Sequence, residues 1–402
     1  MGSTATSSRI IPVATSGTSL LYVDFLLTGI VMTFLGPLLP LLSVRWGLSD
    51  ERAGYLIFAQ FFSSMFGMLL SGVLVQRIGY RLTLMMGAVF MGAGMVLLIS
   101  GPFLMGIVSV CVLGVGYGIT SPAGNLRTAE ANPERSASAL NVINAVWGIG
   151  AMSSPFLLAA AQQAHGTDLF LYGTAAALLA LIVALGLARF VPDTHAEVAQ
   201  TGSATPRLWT LRMLPVVCVV FFVYVGTETS FGNWVAMYAR RLGTGNQTLA
   251  TMTPSFFWGS LLAGRMLAPL VLKSHRSTSV ATAALIFSLA GGAMLVSAHS
   301  VTMIAAGAVL AGLGLASIFP ISVSLLPSWF GESARRASGT VFGSGNVGGA
   351  VLPWVVGVAS TRYGNLRAGF FVPLVGVVFL LTFYLWNGRR WDGSRSVTKT
   401  PR

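Results

Sequence analysis

Twelve apolar segments, each long enough to cross a bilayer, follow one another along this chain and are joined mostly by short loops. The hydrocarbon core of a membrane demands roughly 20 apolar residues of any helix that crosses it. Within that core every backbone N–H and C=O must be satisfied inside the protein, which favours helices over irregular chain. The approximate spans are 20–42, 53–75, 82–100, 102–125, 137–161, 168–191, 213–238, 250–272, 278–298, 301–327, 337–360 and 367–387. Only 9% of the residues are charged, too few to cover a soluble protein of 402 residues. The chain reads as a polytopic, all-α membrane protein.

The net charge of +13 follows from where the basic residues lie. Of the 24, 17 fall in the tails or in loops after even-numbered spans, 6 in the alternate loops, and one, Arg265, inside a span. The positive-inside rule then puts both termini in the cytoplasm of a bacterial-type inner membrane. No stretch interleaves basic and aromatic residues densely, so the excess does not mark a nucleic-acid partner. The first residues lack the charged start and cleavage pattern of a signal peptide, so the first helix is expected to be retained. Cys111 and Cys218 each sit alone in an apolar segment and read as small core residues.

The longest polar break, 192–212, divides the chain into a bundle of six spans over 1–191 and a second over 213–402 with a cytoplasmic tail. The halves are related. A shift of 198 places Gly114 on Gly312, Gly116 on Gly314, Pro122 on Pro320 and Glu134 on Glu332. Gly148 and Gly150 of the fifth span answer Gly348 and Gly349 of the eleventh. Small residues let membrane helices approach closely where no hydrophobic force drives them together. Duplicated six-helix halves place a substrate at their interface, near the bilayer midplane.

The loop after the second span reads GVLVQRIGYRLTL, Gly72 to Leu84. It resembles the loop pattern of the major facilitator superfamily, supplying Gly72, Leu74, Arg77, Gly79 and Arg81. It departs with Gln76 at the acidic position and Tyr80 at a basic one. Gly72 is expected to permit close packing, and Arg77 and Arg81 to anchor that end by bonding helix C-terminal carbonyls. Three further segments resemble the fucose–galactose–glucose branch: Tyr224 to Ala239, Gly116 to Ala151 and Ile318 to Gly331. The first looks like the seventh helix of glucose-type members. The resemblance implies twelve helices in two pseudo-symmetric bundles, the major facilitator fold. Gly36 and Ser121 stand where the fucose members carry acids, so coupling through that pair is not expected.

Ionisable groups inside spans are costly and point to function. Glu228 lies roughly 22 Å from the basic end of its span, near midplane, and is the leading candidate for binding sugar hydroxyls or carrying a proton. Gly226 and Gly232 flank it and suggest a broken helix. Asp24 is a second candidate for the coupling cation, or a hydrated acid at a helix start. Arg265 is expected nearer the level of Asp24 than of Glu228, as a gate or helix-end anchor that does not pair with Glu228. Arg77, Arg81, Arg127 and Glu130 are the other gating candidates. Sugars need neutral hydrogen bonds and an aromatic face, which nominates Gln60, Tyr117, Asn125, Asn141, Asn144, Trp147, Asn233, Trp234, Trp258 and Asn346. Asn141, Asn144 and Gly148 share one helical face.

The four histidines lie in loops or at span ends without metal-ligand spacing, and no GxxxxGK[ST] phosphate loop exists. No enzyme and no cofactor are expected, only a proton or sodium as coupling ion. The reading is a monomeric secondary transporter of a hexose such as glucose, working by alternating access. A proton-coupled exporter or flippase of amphipathic drugs or lipids shares the fold and is the alternative. An enzyme or receptor would need a catalytic cluster or a large soluble domain.

Overall fold

The computed structural model describes residues 15–164, 166–188, 213–243 and 246–393. The expected linker at 192–212 and the outermost residues of both tails lie outside them. The described chain is helical with short connections: α1 (Thr15–Thr33), α2 (Leu35–Trp46), α3 (Asp50–Leu97), α4 (Phe103–Ala131), α5 (Ser136–Ala164), α6 (Thr167–Leu187), α7 (Leu214–Arg241), α8 (Gln247–Leu272), α9 (Ser277–Val296), α10 (Val301–Ala316), α11 (Ile318–Phe330), α12 (Ala334–Tyr363) and α13 (Leu366–Gly393).

These thirteen helices make twelve spans. α1 and α2 form one span, interrupted at Phe34 just before Gly36-Pro37, and α10 and α11 form another, interrupted at Ser317 before Phe319-Pro320. α3 contains 48 residues, about 72 Å at the helical rise, more than twice the hydrocarbon thickness. It is two spans, broken at Gly79, whose φ of 77° and ψ of 168° belong to a region essentially reserved for glycine. That requirement explains the second glycine of the loop signature. The first is different: nothing stands within 4 Å of where a Cβ on Gly72 would be. The expectation that Gly72 serves close packing is therefore corrected; it faces open space.

The repeated glycines make repeated contacts. A Cβ on Gly114 of α4 would collide with the Gln60 carbonyl of α3, and one on Gly312 of α10 with the Phe257 carbonyl of α8. Gly116 fits against Gly87 and Met91, and Gly314 against Ala284 and Ser288 of α9. Likewise Gly150 lets α5 meet Leu26 of α1, and Gly348 lets α12 meet Phe222 of α7. The fold is thus two six-helix bundles in which corresponding positions solve the same packing problem.

The bundles meet along seams that are closed only in part. Call the end carrying Arg77, Arg127, Lys273 and Arg276 the basic end, and the other the far end. Along α3 and α12, contacts run from Asp50–Gly357 at the far end through Gly54–Trp354 and Phe61–Gly349 to Met68–Asn346. There they stop: Gly72, Gly339 and Gly343 have nothing within 4 Å. Along α5 and α8, Gln163–Thr248 and Gln162–Thr251 hydrogen bonds give way to Met152–Gly259, Trp147–Trp258 and Gly148–Leu262. Asn144 and Asn141, one and two turns further on the same face of α5, are exposed. A cleft therefore opens toward the basic end and closes near mid-membrane.

Candidate functional site

Where the cleft closes, three polar side chains of the second bundle converge. Arg265 Nη2 of α8 lies 3.1 Å from Glu228 Oε2 and 3.2 Å from Oε1 of α7, and 3.3 Å from the Tyr224 hydroxyl. Tyr224 donates in turn to Glu228 Oε2. The two residues are four apart on α7, so a shared face brings them together. The guanidinium also stands 6.0 Å from the Phe319 ring centroid of α11, a cation–π arrangement. From the first bundle, Tyr117 of α4 is close enough to feel both charges.

The pairing corrects the expectation that Arg265 stays near the level of Asp24, apart from Glu228. α7 and α8 run in opposite directions, and every Cα–Cβ bond tilts toward its own helix N-terminus. Glu228 therefore leans toward the basic end while Arg265 leans away from it. Counting residues along each helix measures backbone height and misses this convergence. Tyr224 and Phe319 were not among the sequence candidates, although the spacing of Tyr224 from Glu228 carried the signal.

Gly226 and Gly232 do not break the helix, which is continuous from Leu214 to Arg241. They are contact points instead. A Cβ on Gly226 would stand 2.7 Å from the Gly348 carbonyl oxygen, and one on Gly232 would stand 2.9 Å from Trp258 Cε2.

Other candidates divide by position. Trp147 and Trp258 meet edge to face across the seam with centroids 6.1 Å apart, and Trp147 Nε1 has no hydrogen-bond partner. Arg265 Nε is unpaired as well. Asn144 Nδ2 donates to Asn125 Oδ1 at 3.0 Å, while Asn125 Nδ2 donates to the Ser121 carbonyl. Asn141 is exposed near the cleft mouth, and Asn346 donates to Met68 Sδ where the α3–α12 seam ends.

Three others lie elsewhere. Trp234 is wholly buried and donates from Nε1 to the Pro353 carbonyl at 2.8 Å. Asn233 is buried and bonds the Thr229 carbonyl one turn back. Gln60 is buried and its amide nitrogen reaches the Val31 carbonyl. Trp234 and Asn233 bind helices to themselves or to one another, and the expectation that they line the pocket is corrected; Gln60 is as buried, and its Oε1 has no partner.

Asp24 departs from the reading as a hydrated interfacial acid. It is 0% exposed, and neither carboxylate oxygen has a hydrogen-bond partner. Its helix begins earlier than the apolar pattern suggested and packs against α4, α5 and α6. Among the gating candidates, Arg127 lies 5.5 Å from the centroid of the Tyr80 ring, so the departure at Tyr80 supplies a platform for an arginine. Arg77 and Glu130 are exposed, and Arg81 is half-buried.

The comparisons agree with this fold. A glucose/mannose transporter, GlcP, of Bacillus subtilis (strain 168) is 24% identical over 356 residues, covering 84% of this chain and 86% of that one. A glucose/galactose transporter of Brucella abortus is 26% identical over 333 residues, covering 78% and 80%. Among solved structures, the nucleoside transporter NupG superposes with a TM-score of 0.77 at 13% identity, covering 91% of this chain and 98% of that one. The family model of the Major Facilitator Superfamily matches residues 23–268 and 216–400, nearly the whole chain. The chain belongs to the Major Facilitator Superfamily.

Proposed function

We propose that this protein is a secondary transporter of a monosaccharide such as glucose, driven by a cation gradient and working by alternating access. It moves the sugar chemically unchanged, as a monomer in a bacterial-type cytoplasmic membrane. The basic end and both termini face the cytoplasm, following the placement of the arginines. The cleft then opens inward in the conformation described.

The observation that carries this reading is the closed end of the cleft. Trp147 Nε1 and Arg265 Nε are buried there without partners, Arg265 bonded to Glu228 and near Tyr117, and the Asn125–Asn144 amide pair lies further toward the basic end. A buried donor without a partner costs free energy. Both atoms are covered in the conformation described, so a polyhydroxylated ligand supplies the missing acceptors only as the bundles move onto it. The Trp147–Trp258 pair offers apolar faces for the C–H surface of a sugar ring. The similarity to the glucose/mannose and glucose/galactose transporters supports the same substrate class.

Roles for the two acids follow from their surroundings. Glu228 is paired with Arg265 and Tyr224, and it binds sugar hydroxyls. Asp24, buried with neither oxygen bonded, is the acid left free of a partner to carry the proton. Hexose uptake into proteoliposomes, with imposed proton or sodium gradients, tests the reading. Proton-driven accumulation of hexose is the expected result. Dye or lipid export with no hexose uptake would replace it with the exporter reading, and sodium-driven accumulation would remove the proton from Asp24.

A further inference from the structure

The far-end seam closes on a single carboxylate. Asp50 stands in the first turn of α3, behind Ser49, whose hydroxyl accepts from the Arg52 amide at 3.3 Å. Its two oxygens take both terminal nitrogens of Arg241, the last residue of α7. The Ser360 hydroxyl of α12 donates to the same carboxylate, and the neighbouring Glu51 amide donates to Thr361 Oγ1 at 2.9 Å. One residue of the first bundle thus holds two helices of the second.

Backbone packing surrounds this contact. A Cβ on Gly357 of α12 would lie 3.0 Å from the Asp50 carbonyl carbon. Similar additions would lie 3.1 Å from Trp354 Cα at Gly54 and 2.8 Å from Asn233 Cα at Gly36. Each of these glycines faces the opposite bundle, at the end where the molecule is shut.

We infer that Asp50 and Arg241 form a latch that holds the far end closed while the cleft is open at the basic end, and that must part for the sugar site to face outward. The inference rests on the alternating-access reading. Three features separate a latch from a permanent strut. The bonds join the two bundles and not helices within one bundle. The partners are unequally buried, with side chains 43% exposed at Arg241 and 5% at Asp50, so the arginine rehydrates readily on release. Asp50 stays in the first turn of α3 in either state, where the helix dipole favours its charge after Arg241 leaves. A bidentate, charge-assisted pair of this kind is strong when made and reversible when parted.

The test is a distance measurement between the bundles in the full chain, reconstituted in lipid nanodiscs without sugar. Spin labels are placed at Val44 and Tyr363, which are 82% and 66% exposed near the far ends of α2 and α12, with Cys111 and Cys218 replaced by serine. The parent is expected to show a dominant short distance. Arg241→Gln should raise the ratio of long to short distances at least ~tenfold, equivalent to about 1.4 kcal/mol. Arg241→Lys keeps the charge but not the fork and should fall between. Gly357→Ala, which touches no charge, should shift the ratio in the same direction by wedging the seam. An unchanged distribution in Arg241→Gln overturns the latch, and Asp50→Asn supplies the same test if that variant is not recovered. No sugar enters the measurement, so a failure of hexose uptake and a failure of the latch are told apart.

Discussion

Arg265 and Glu228 meet although the residue count puts their backbones on different levels of the membrane. Glu228 is 14 residues from the start of α7 and Arg265 only 7 from the end of α8, a separation of roughly 10 Å along the bundle. Side chains leaning toward opposite helix starts close that gap to 3.1 Å. The result is a charge-neutral pair at the closed end of the cleft, where a lone charge of either sign would not be stable.

Glu228→Gln leaves Arg265 without its counter-charge and should cost about 3 kcal/mol of stability, seen as a lowered melting temperature in detergent. Removing both charges with Glu228→Gln and Arg265→Gln should recover most of that loss. Hexose binding should stay at least ~tenfold weaker in both variants, an estimate from one lost charged hydrogen bond. A double variant that binds hexose as the parent does would show the pair to be structural only.

Asp24→Asn keeps the shape of the buried side chain without its ionisable group and should fold and bind sugar normally. It should lose accumulation driven by a proton gradient while sugar exchange across the membrane continues. The decisive measurement is uptake at a series of internal and external pH values. Accumulation in the variant that still follows the proton gradient would take the proton off Asp24.

Trp234→Phe separates pocket from packing. The indole N–H bond to the Pro353 carbonyl is lost inside a fully buried site, at a cost of about 1–2 kcal/mol. Its hexose affinity should be unchanged. A selective fall in affinity, with stability retained, would return Trp234 to the binding site.

Gly79→Ala and Gly72→Ala should behave differently although both glycines belong to one loop signature. Alanine at Gly79 must adopt a φ of 77° with an extended ψ, costing about 1–3 kcal/mol. Alanine at Gly72 meets open space in the conformation described and should leave the melting temperature unaltered. Melting curves of the two purified variants decide the point.

Much of the architecture was legible because the membrane imposes a simple length rule. Twelve spans, the reversal near Gly79 and the internal repeat all follow from apolar runs and glycine positions. The site was less legible, since depth along a helix says nothing of rotation or lean. Gly148 fell where periodicity placed it with Asn141 and Asn144, against Leu262 of the other bundle, while Asn144 bonds Asn125 of its own. Asn233 and Trp234 share a span with Glu228 but bond to the Thr229 and Pro353 carbonyls instead of entering the cleft. Asp24 looked interfacial because sequence shows where apolar residues begin and not how many helices close over them. Asp50 and Arg241 lie 191 residues apart, and only the assembled bundles bring them together.

The edge-to-face indoles of Trp147 and Trp258 sit at the hinge line where the closed part of their seam ends. Any rocking of one bundle on the other must slide these rings apart or press them together. With the other seven tryptophans replaced, the molecule therefore carries a native chromophore pair whose emission reports its own opening, with no dye attached.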